Sequence, residues 1–309
     1  MAPRHFLLVK HADHTAALLA QRGARVVRTS LSDYPNATLT WDPVDGIRVD
    51  GRVLGFAAGL WRRPASADGA RYAPDYRAFV CRETQDAFLG ATQASQIRWL
   101  TDPSALARAE LKLVQLRVAI SIGLPVPPTL VTNCASDGVA FAERHGPVVV
   151  KPIRYGLLTT GPEARVAYTR RVTASELADL TGSPVILQHE IDAKLHLRVV
   201  TVRGDVFVSA VRSEELDWRS DPSSHERFEA VGDLEWPAVR VGALALADRL
   251  GIGFSSQDWA VDRQDHAHFL EANPNGQWMF VDSVHHGRPS AAVADALWDA
   301  AQHGRGEDC

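Results

Sequence analysis

The chain has few cysteines and no long apolar run. Cys81, Cys134 and Cys309 are the three cysteines among 309 residues. They show no CxxC spacing, so they predict neither a disulfide framework nor a zinc site and favour a reducing compartment. The apolar run from Phe6 to Val9 is too short for a signal peptide, and no run approaches the roughly 20 residues of a membrane helix. We therefore expect a soluble, cytoplasmic protein that enters no membrane.

A surplus of charge of one sign is also missing. The formal net charge is -4 and the isoelectric point is near 6.3, which leaves no basic reservoir for nucleic acid. Dinucleotide-binding G-x-G-x-x-G, the P-loop G-x-x-x-x-G-K-[ST] and the hydrolase G-x-S-x-G are absent as well. Hydrophobic content of 46% and charged content of 23% remain ordinary for a globular protein, and the length predicts about two domains.

Lysine is scarce, because only four of the 33 basic residues are lysine. A GC-rich genome, which favours arginine codons, accounts for the bias but not for the positions that remain lysine. These positions are Lys10, Lys112, Lys151 and Lys194. We regard the last three as candidates for chemistry, because each lies in or next to a predicted element boundary or helix.

Short strand-like and helix-like segments alternate along the chain, which predicts a mixed α/β protein. The first hundred residues begin with a predicted strand at His5–Val9, a helix at Thr15–Gln21 and a strand at Arg25–Arg28. A single helix is predicted over Ser104–Ile122, where Gly123 ends it. Further along, the turn Arg203-Gly204-Asp205 predicts a β-hairpin.

A second predicted hairpin carries the strongest candidate site. Its turn is centred on Gln264 and Asp265, and antiparallel pairing about that centre places Asp258 opposite Glu271. Asn273 lies two residues further and so faces the same way. Two carboxylates and an amide oxygen make the oxygen-only set that magnesium prefers. A solvated strand face is the alternative reading.

Two other segments suggest a nucleotide. Lys151 ends the strand-like run Val148–Lys151 just before a glycine-containing loop, where its charge could hold a phosphate. The alternative is a snorkelling strand-edge lysine. The run Val185–Ile191 leaves a strand at a polar step, so its backbone could offer one carbonyl and one N–H to an adenine edge, with Asp192 near the ribose.

Together these segments resemble the ATP-grasp superfamily, and most closely its ligases that macrocyclise ribosomal peptides, the graspetide or microviridin-type maturases. The resemblance covers nearly the whole chain. It rests on Trp61–Pro64, the A-x-x-K-x-x-Q-L helix Ala109–Leu116, Val150–Pro152, Gln188–Ile191, Leu197–Val200, the Asp217-Trp218-Arg219 loop and Phe269–Trp278. It departs at His196 and His189, where the family more usually has acidic residues.

The resemblance implies a role for each candidate residue. ATP is expected at Lys112, Lys151, Gln188, His189, Glu190, Ile191, Asp192 and Lys194. Arg198 and Arg212 are expected to act on the transferred phosphate, and Asp258, Glu271 and Asn273 to hold a pair of magnesium ions.

The same resemblance implies three domains: an N-terminal α/β domain over 1–103, a central lid over 104–188 and a C-terminal domain with the metal site over 189–309. The implied enzyme phosphorylates an Asp or Glu side chain of a precursor peptide that carries a leader. A Ser/Thr hydroxyl or Lys amine then closes an ester or amide ring. A ligase for a free amino acid or small peptide, and a non-catalytic ATP-binding regulator, stay open as alternatives. Oligomeric state is undetermined, so a homodimer also stays open.

Overall fold

The computed structural model describes residues 13–34, 36–53, 58–62, 67–154, 157–160, 163–213 and 215–302. These residues fall into two compact units, one of residues 104–292 and one of residues 13–103 with 293–302. The predicted strand at His5–Val9 lies outside the described residues. None of the helices in the described ranges combines the length and apolar composition of a bilayer span.

The unit of residues 13–103 is built from short strands and two helices. Helix α1 covers residues 13–21 and α2 is Pro74–Gln93. The strands are β1 (Leu39–Asp42), β2 (Gly46–Val49) and β3 (Arg52–Val53), which form an antiparallel sheet, and β4 (Ala58–Gly59) and β5 (Arg98–Trp99), which pair in parallel. A 3₁₀ helix covers Leu31–Asp33.

The strand predicted at Arg25–Arg28 is wrong, since residues 24–30 have no regular structure. Val27 packs against the cluster that contains Ile47 and Val49, whereas Val26 is exposed. The packing of Val27, the ion pair of Arg28 with Asp13 and the cap of Ser30 hold this segment without a strand ladder.

The described residues of the unit 104–292 form three antiparallel sheets, of four, five and two strands. Its helices are α3 (Pro103–Ala109), α4 (Lys112–Ser121), α5 (Ala135–His145), α6 (Ala174–Leu177), α7 (Pro237–Leu250) and α8 (Met279–Asp282), with 3₁₀ helices at Trp218–Ser220, Pro222–Glu226 and Ser283–His285, and α9 (Arg288–Gln302) follows. Its strands are β6 (Thr129–Thr132), β7 (Val148–Lys151), β8 (Leu157–Thr160), β9 (Glu163–Val166), β10 (Arg170–Val172), β11 (Val185–His189), β12 (Ala193–Val202), β13 (Asp205–Val211), β14 (Glu229–Ala230), β15 (Phe254–Asp262) and β16 (Ala267–Asn273).

The sheet orders are β10-β7-β11-β6 and β14-β13-β12-β15-β16, while β8 and β9 form a hairpin. In the five-stranded sheet, alternate residues of β12 face opposite sides. Leu197 and Val199 pack with Leu246 of α7 in one hydrophobic core cluster. Arg198 therefore lies on the other face, and that face carries the candidate site.

The helix predicted over Ser104–Ile122 is two helices, α3 and α4, and the prediction of a single helix is wrong. Leu111 is extended, with φ -80° and ψ 106°, and forms the N-cap of α4. The Ala109 carbonyl accepts a hydrogen bond from Gln115 Nε2 instead of from a backbone N–H of a continuing helix. Gln115 Nε2 also donates to the Ala272 carbonyl, so a contact with a distant strand stabilises the break that periodicity alone did not indicate.

The hairpin of β15 and β16 contains a bulge. Asp258 pairs with Glu271 as predicted, but Trp259 pairs with Phe269, so Leu270 is the extra residue. The pairing nearer the turn is therefore shifted by one residue from the predicted register. A one-residue slip turns side chains to the opposite face, and the bulge restores the register where the two carboxylates lie.

Candidate active site

Three neighbouring strands place Arg198, Asp258 and Glu271 in one row on the same face of the sheet. Arg198 Nη1 donates to Asp258 Oδ1 at 2.7 Å, and both residues are 6% exposed. A buried charge is tolerated only when it is paired and hydrogen-bonded. This ion pair therefore keeps two opposite charges inside the protein.

Glu271 is held by two cations. Lys112 Nζ lies 2.9 Å from its Oε2, and Arg219 Nη1 donates to its Oε1 at 2.9 Å. Burial raises the pKa of the Glu271 carboxyl, but Arg219 and Lys112 outweigh burial and hold that pKa well below its usual range. Glu271 is therefore an ionised carboxylate.

Arg219 is oriented by Asp217, which caps the 3₁₀ helix Trp218–Ser220. Arg219 Nε and Nη2 donate to the two carboxylate oxygens of Asp217 at 2.8 and 2.9 Å. Burial raises the pKa of Asp217, yet the Arg219 contacts bring that pKa below its ordinary value. The bidentate pair aims the remaining nitrogen of Arg219 at Glu271.

The candidate set omitted Arg219 and included Arg212. Arg212 follows β13, is exposed, and offers its backbone carbonyl to Arg227 Nη1 at 3.1 Å. The structure brings Arg219, not Arg212, to Glu271. The Asp217-Trp218-Arg219 triplet was the sequence signal that could have identified Arg219, because an acidic residue two positions before an arginine can form such an ion pair.

Lys151 lies at the end of β7 and contacts an amide. Its Nζ donates to Gln188 Oε1 at 2.6 Å, and Gln188 Nε2 donates to Thr129 Oγ1 at 2.9 Å. Burial lowers the Lys151 pKa to about 8, although the Glu271 charge opposes that shift. Nearby, Lys112 Nζ also donates to the Pro152 carbonyl at 3.2 Å.

The predicted adenine segment uses part of its backbone within the protein. The His189 N–H donates to the Pro128 carbonyl at 2.9 Å, and the Glu190 N–H to the Pro147 carbonyl at 2.8 Å. The Glu190 carboxylate accepts two hydrogen bonds from Arg171, at 2.8 and 2.7 Å. These bonds fix the segment where it leaves β11.

Of the next three candidates along the chain, Asp192 and Lys194 contact the turn of the second hairpin, whereas Ile191 contacts its own segment. The Ile191 carbonyl accepts from the Ala193 N–H at 2.8 Å. Asp192 accepts from Arg263 Nε at 2.6 Å, and Lys194 lies 2.7 Å from Asp265. Asp192 and Lys194 thus contact the turn residues of the hairpin that carries Asp258 and Glu271.

The loop after β16 packs closely on Arg198. Asn273 Oδ1 accepts from the Asn275 N–H at 3.0 Å, and the Gln277 carbonyl accepts from Arg198 Nη2 at 3.1 Å. A Cβ on Gly276 would collide with Ser256 and lie 3.2 Å from Arg198 Nη2. Glycine is needed here because the backbone approaches so closely.

His196 lies two residues before Arg198 and on the same face of β12. It is 6% exposed. Burial lowers its pKa, although the Asp258 and Asp217 charges oppose that shift. A neutral imidazole therefore stands where the resembled family has a carboxylate.

Comparison with known proteins gives structural matches. No protein-family model matches the sequence, and no curated protein matches it. A RiPP-associated ATP-grasp ligase of Chryseobacterium gregarium, solved with ADP and a leader and core peptide, superposes with TM-score 0.82 at 23% identity, over 93% of this chain and 92% of that chain. The chain has the ATP-grasp fold.

Two further ligase structures are similar. The ATP-grasp ligase PsnB, solved with a phosphomimetic variant of its minimal precursor, Mg and ADP, matches with TM-score 0.75 and 22% identity, over 94% of each chain. D-alanyl-alanine synthetase A of Vibrio cholerae matches with TM-score 0.67 and 14% identity, over 98% of this chain and 96% of that chain.

The site residues of this ATP-grasp fold suit a polyphosphate and a hard cation. Arg198 Nε is buried and has no hydrogen-bond partner within the described part of the chain, so a phosphate oxygen could satisfy it. Among the residues described, no group of three His, Cys, Asp or Glu side chains could hold a metal ion. The Asp258 and Glu271 carboxylates together with the Asn273 amide could offer three oxygen ligands, a set of the kind that magnesium prefers.

Proposed function

We propose that this protein is an ATP-dependent, ADP-forming ligase that macrocyclises a ribosomally made precursor peptide. The observation that carries the proposal is the single sheet face on which Lys112, Arg198 and Arg219 contact the carboxylates of Asp258 and Glu271. Phosphoryl transfer asks a protein mainly for positioning and neutralisation of charge. The similarity to ligases solved with precursor peptides supports a peptide substrate.

Each side chain has a role in this proposal. Lys112, Lys151, Arg198 and Arg219 bind the phosphates, and Arg212 stays a candidate for the same task. Adenosine lies against residues 188–192, and Lys194 follows two residues after that segment. Asp258, Glu271 and Asn273 hold a pair of magnesium ions, which supply neutralising charge to the phosphates. The predicted partition into 1–103, 104–188 and 189–309 stays part of the proposal.

The chemistry has two steps. A side-chain carboxylate of the peptide attacks the γ-phosphorus of ATP, and the bond from that phosphorus to the bridging β-phosphate oxygen breaks. The products are ADP and an acyl phosphate on the peptide. A Ser/Thr hydroxyl or a Lys amine of the same peptide then attacks the acyl carbon, the bond from that carbon to the phosphate oxygen breaks, and the proton of the nucleophile passes to the departing phosphate. Arg198 and Arg219 stabilise the negative charge at the phosphate.

The deciding experiment is mass spectrometry of the reconstituted reaction. The protein, ATP, magnesium and the cognate peptide should yield a product lighter by one water per ring, with one ADP and no AMP per ring. Replacing the acidic core residues of the peptide with Asn or Gln should abolish the loss of water. A short reading frame rich in Thr/Ser and Asp/Glu near the gene identifies the peptide to use.

The ATP-grasp fold also suits a ligase that joins a free amino acid or small peptide, as the match to D-alanyl-alanine synthetase A illustrates. An unmodified cognate peptide together with ATP-dependent joining of a free amino acid would establish that alternative. Steady-state ADP release with any acceptor would exclude a non-catalytic regulator.

Substituting the proposed metal ligands tests the site itself. Glu271→Gln and Asp258→Asn keep shape but remove a ligand charge, so we expect ADP production to fall at least about 100-fold. Both substitutions weaken a buried ion pair and should lower the melting temperature, so ADP production is compared at a temperature at which circular dichroism shows both variants folded. Glu229→Gln, an exposed glutamate on β14 of the same sheet, is the matched control and should retain activity. Near wild-type ADP production by Glu271→Gln would refute the metal assignment.

A further inference from the structure

Gln115 uses its whole amide to bind backbone groups. It lies in α4 and is 2% exposed. Its Nε2 donates to the carbonyls of Ala109 and Ala272, both at 2.6 Å, and its Oε1 accepts from the Ala272 N–H at 2.9 Å. One side chain therefore joins the end of α3 to a strand 157 residues away.

The position of Ala272 makes these bonds significant. Strand β16 is an outer strand of the five-stranded sheet, and an outer strand has backbone groups that no neighbouring strand satisfies. Gln115 binds both the N–H and the C=O of Ala272, as a residue of an additional strand would. Earlier in β16, the Phe269 N–H donates to the Pro125 carbonyl at 2.8 Å.

Ala272 lies between Glu271 and Asn273 in the chain. Fixing its backbone fixes the point at which both flanking side chains leave the strand. One turn before Gln115, Lys112 of the same helix contacts Glu271 Oε2 at 2.9 Å. Helix α4 thus binds the backbone of β16 through Gln115 and the Glu271 carboxylate through Lys112.

We infer that Gln115 is a positioning residue that holds β16 in the register at which Glu271 and Asn273 face Asp258. The bulge at Leu270 shows that this strand accommodates two registers along its length. The bonds of Gln115 select one of them beyond the bulge. The inference rests on the proposed function for what Glu271 and Asn273 bind, but the hydrogen bonds concern the protein alone.

The variant Gln115→Met tests the inference, because it removes all three bonds while keeping an unbranched side chain of similar length. Thr201→Val is the matched control. Thr201 lies on the face of β12 opposite to Arg198, is also fully buried, and shares a hydrogen bond of 2.7 Å with the hydroxyl of Ser255. Both variants lose a buried hydrogen bond, so both should be less stable to heat.

The first readout is amide hydrogen exchange of Ala272 in the protein without nucleotide or metal. We expect strong protection in the wild type and at least about tenfold faster exchange in Gln115→Met, with Thr201→Val unchanged at this amide. The second readout is the Mg²⁺ concentration that half-saturates ADP binding, measured by calorimetry. Residues that orient metal ligands typically contribute about 10- to 100-fold in affinity, so we expect at least a tenfold increase for Gln115→Met alone.

The inference is overturned if Gln115→Met is destabilised like the control while the exchange of Ala272 and the Mg²⁺ requirement stay at wild-type values. Fast exchange of Ala272 in the wild type would overturn it as well. If Gln115→Met does not fold, Gln115→Asn, which is one methylene too short to reach both partners, takes its place with the same expectations. Absence of ADP binding in the wild type would refute the proposed function, whereas hydrogen exchange would still decide the role of Gln115.

Discussion

At the scale of single residues, the site is a set of charges that burial would disfavour if each stood alone. Asp258 has Arg198, Asp217 has Arg219, and Glu271 has both Arg219 and Lys112. Lys151 differs, because its hydrogen bond goes to the neutral amide of Gln188. Burial therefore lowers its pKa to about 8.

The Lys151 pKa predicts proton uptake on nucleotide binding. Above about pH 8 the amine loses its proton in the free protein. Bound phosphates favour the ammonium, so the nucleotide should raise that pKa, and binding should take up a proton and weaken as the pH rises further. Calorimetry of ADP binding with Mg²⁺ at a pH just above that value, in two buffers of different ionisation enthalpy, measures the proton.

Lys151→Met is the control for this prediction. It should bind ADP more weakly and remove the proton uptake together with the pH dependence, because it supplies no titrating amine. Equal proton uptake in the wild type and the variant would show that another group is responsible.

At the scale of elements, the segment of residues 215–235 brings Arg219 into the site, and aromatic rings pack around it. Trp218 contacts His225, Phe228 and Phe280 at centroid distances of 5.2, 5.0 and 5.8 Å. The guanidinium of Arg198 lies 5.7 Å from the centroid of Phe280. This aromatic cluster therefore links the segment that bears Arg219 with the arginine of β12.

Replacing Phe280 tests whether the aromatic cluster fixes Arg198. Phe280→Leu removes the cation–π contact, which is worth about 1–2 kcal/mol when partly desolvated, so we expect turnover to fall about tenfold. Phe280→Tyr should retain turnover. The control is Phe207→Leu, which removes a similar contact, that of Phe207 with Arg288 at 5.3 Å; neither residue belongs to the proposed site. Equal losses in Phe280→Leu and Phe207→Leu would indicate a general effect on stability.

At the scale of the molecule, the contacts described for the site lie within the unit of residues 104–292. A ligand that binds only the folded protein stabilises it by about 2.7 kcal/mol at 100 times its dissociation constant. For a domain of this size that energy corresponds to a rise of about 5–10 °C in melting temperature. ADP with Mg²⁺ at such a concentration should produce this rise.

A thermal melt with matched conditions makes this measurement specific. ADP with a chelator instead of Mg²⁺ should give a smaller rise, and Asp258→Asn should respond little to adding Mg²⁺. If ADP with Mg²⁺ leaves the melting temperature unchanged over a wide concentration range, the protein does not bind this nucleotide and the proposed function is wrong.

Local pattern in the sequence was sufficient for several features. Strand alternation and a short turn predicted Asp258 opposite Glu271, and that pair is confirmed, although the register counted from the turn holds only beyond the bulge at Leu270. The hairpin at Arg203-Gly204 is confirmed in the same way, with Arg203 at φ 51°. The motif resemblance indicated the ATP-grasp fold, which the structural matches confirm.

Only the tertiary structure decided the rest. Period and capping signals could not show the break after Ala109, because the amide that binds its carbonyl also binds Ala272, 157 residues from Gln115. Likewise, the choice of Arg219 as the partner of Glu271 depends on how a long polar segment packs on the sheet, 52 residues away in sequence. Contacts between residues so far apart leave no periodic trace in the chain, and they form only when the folded protein brings their elements together.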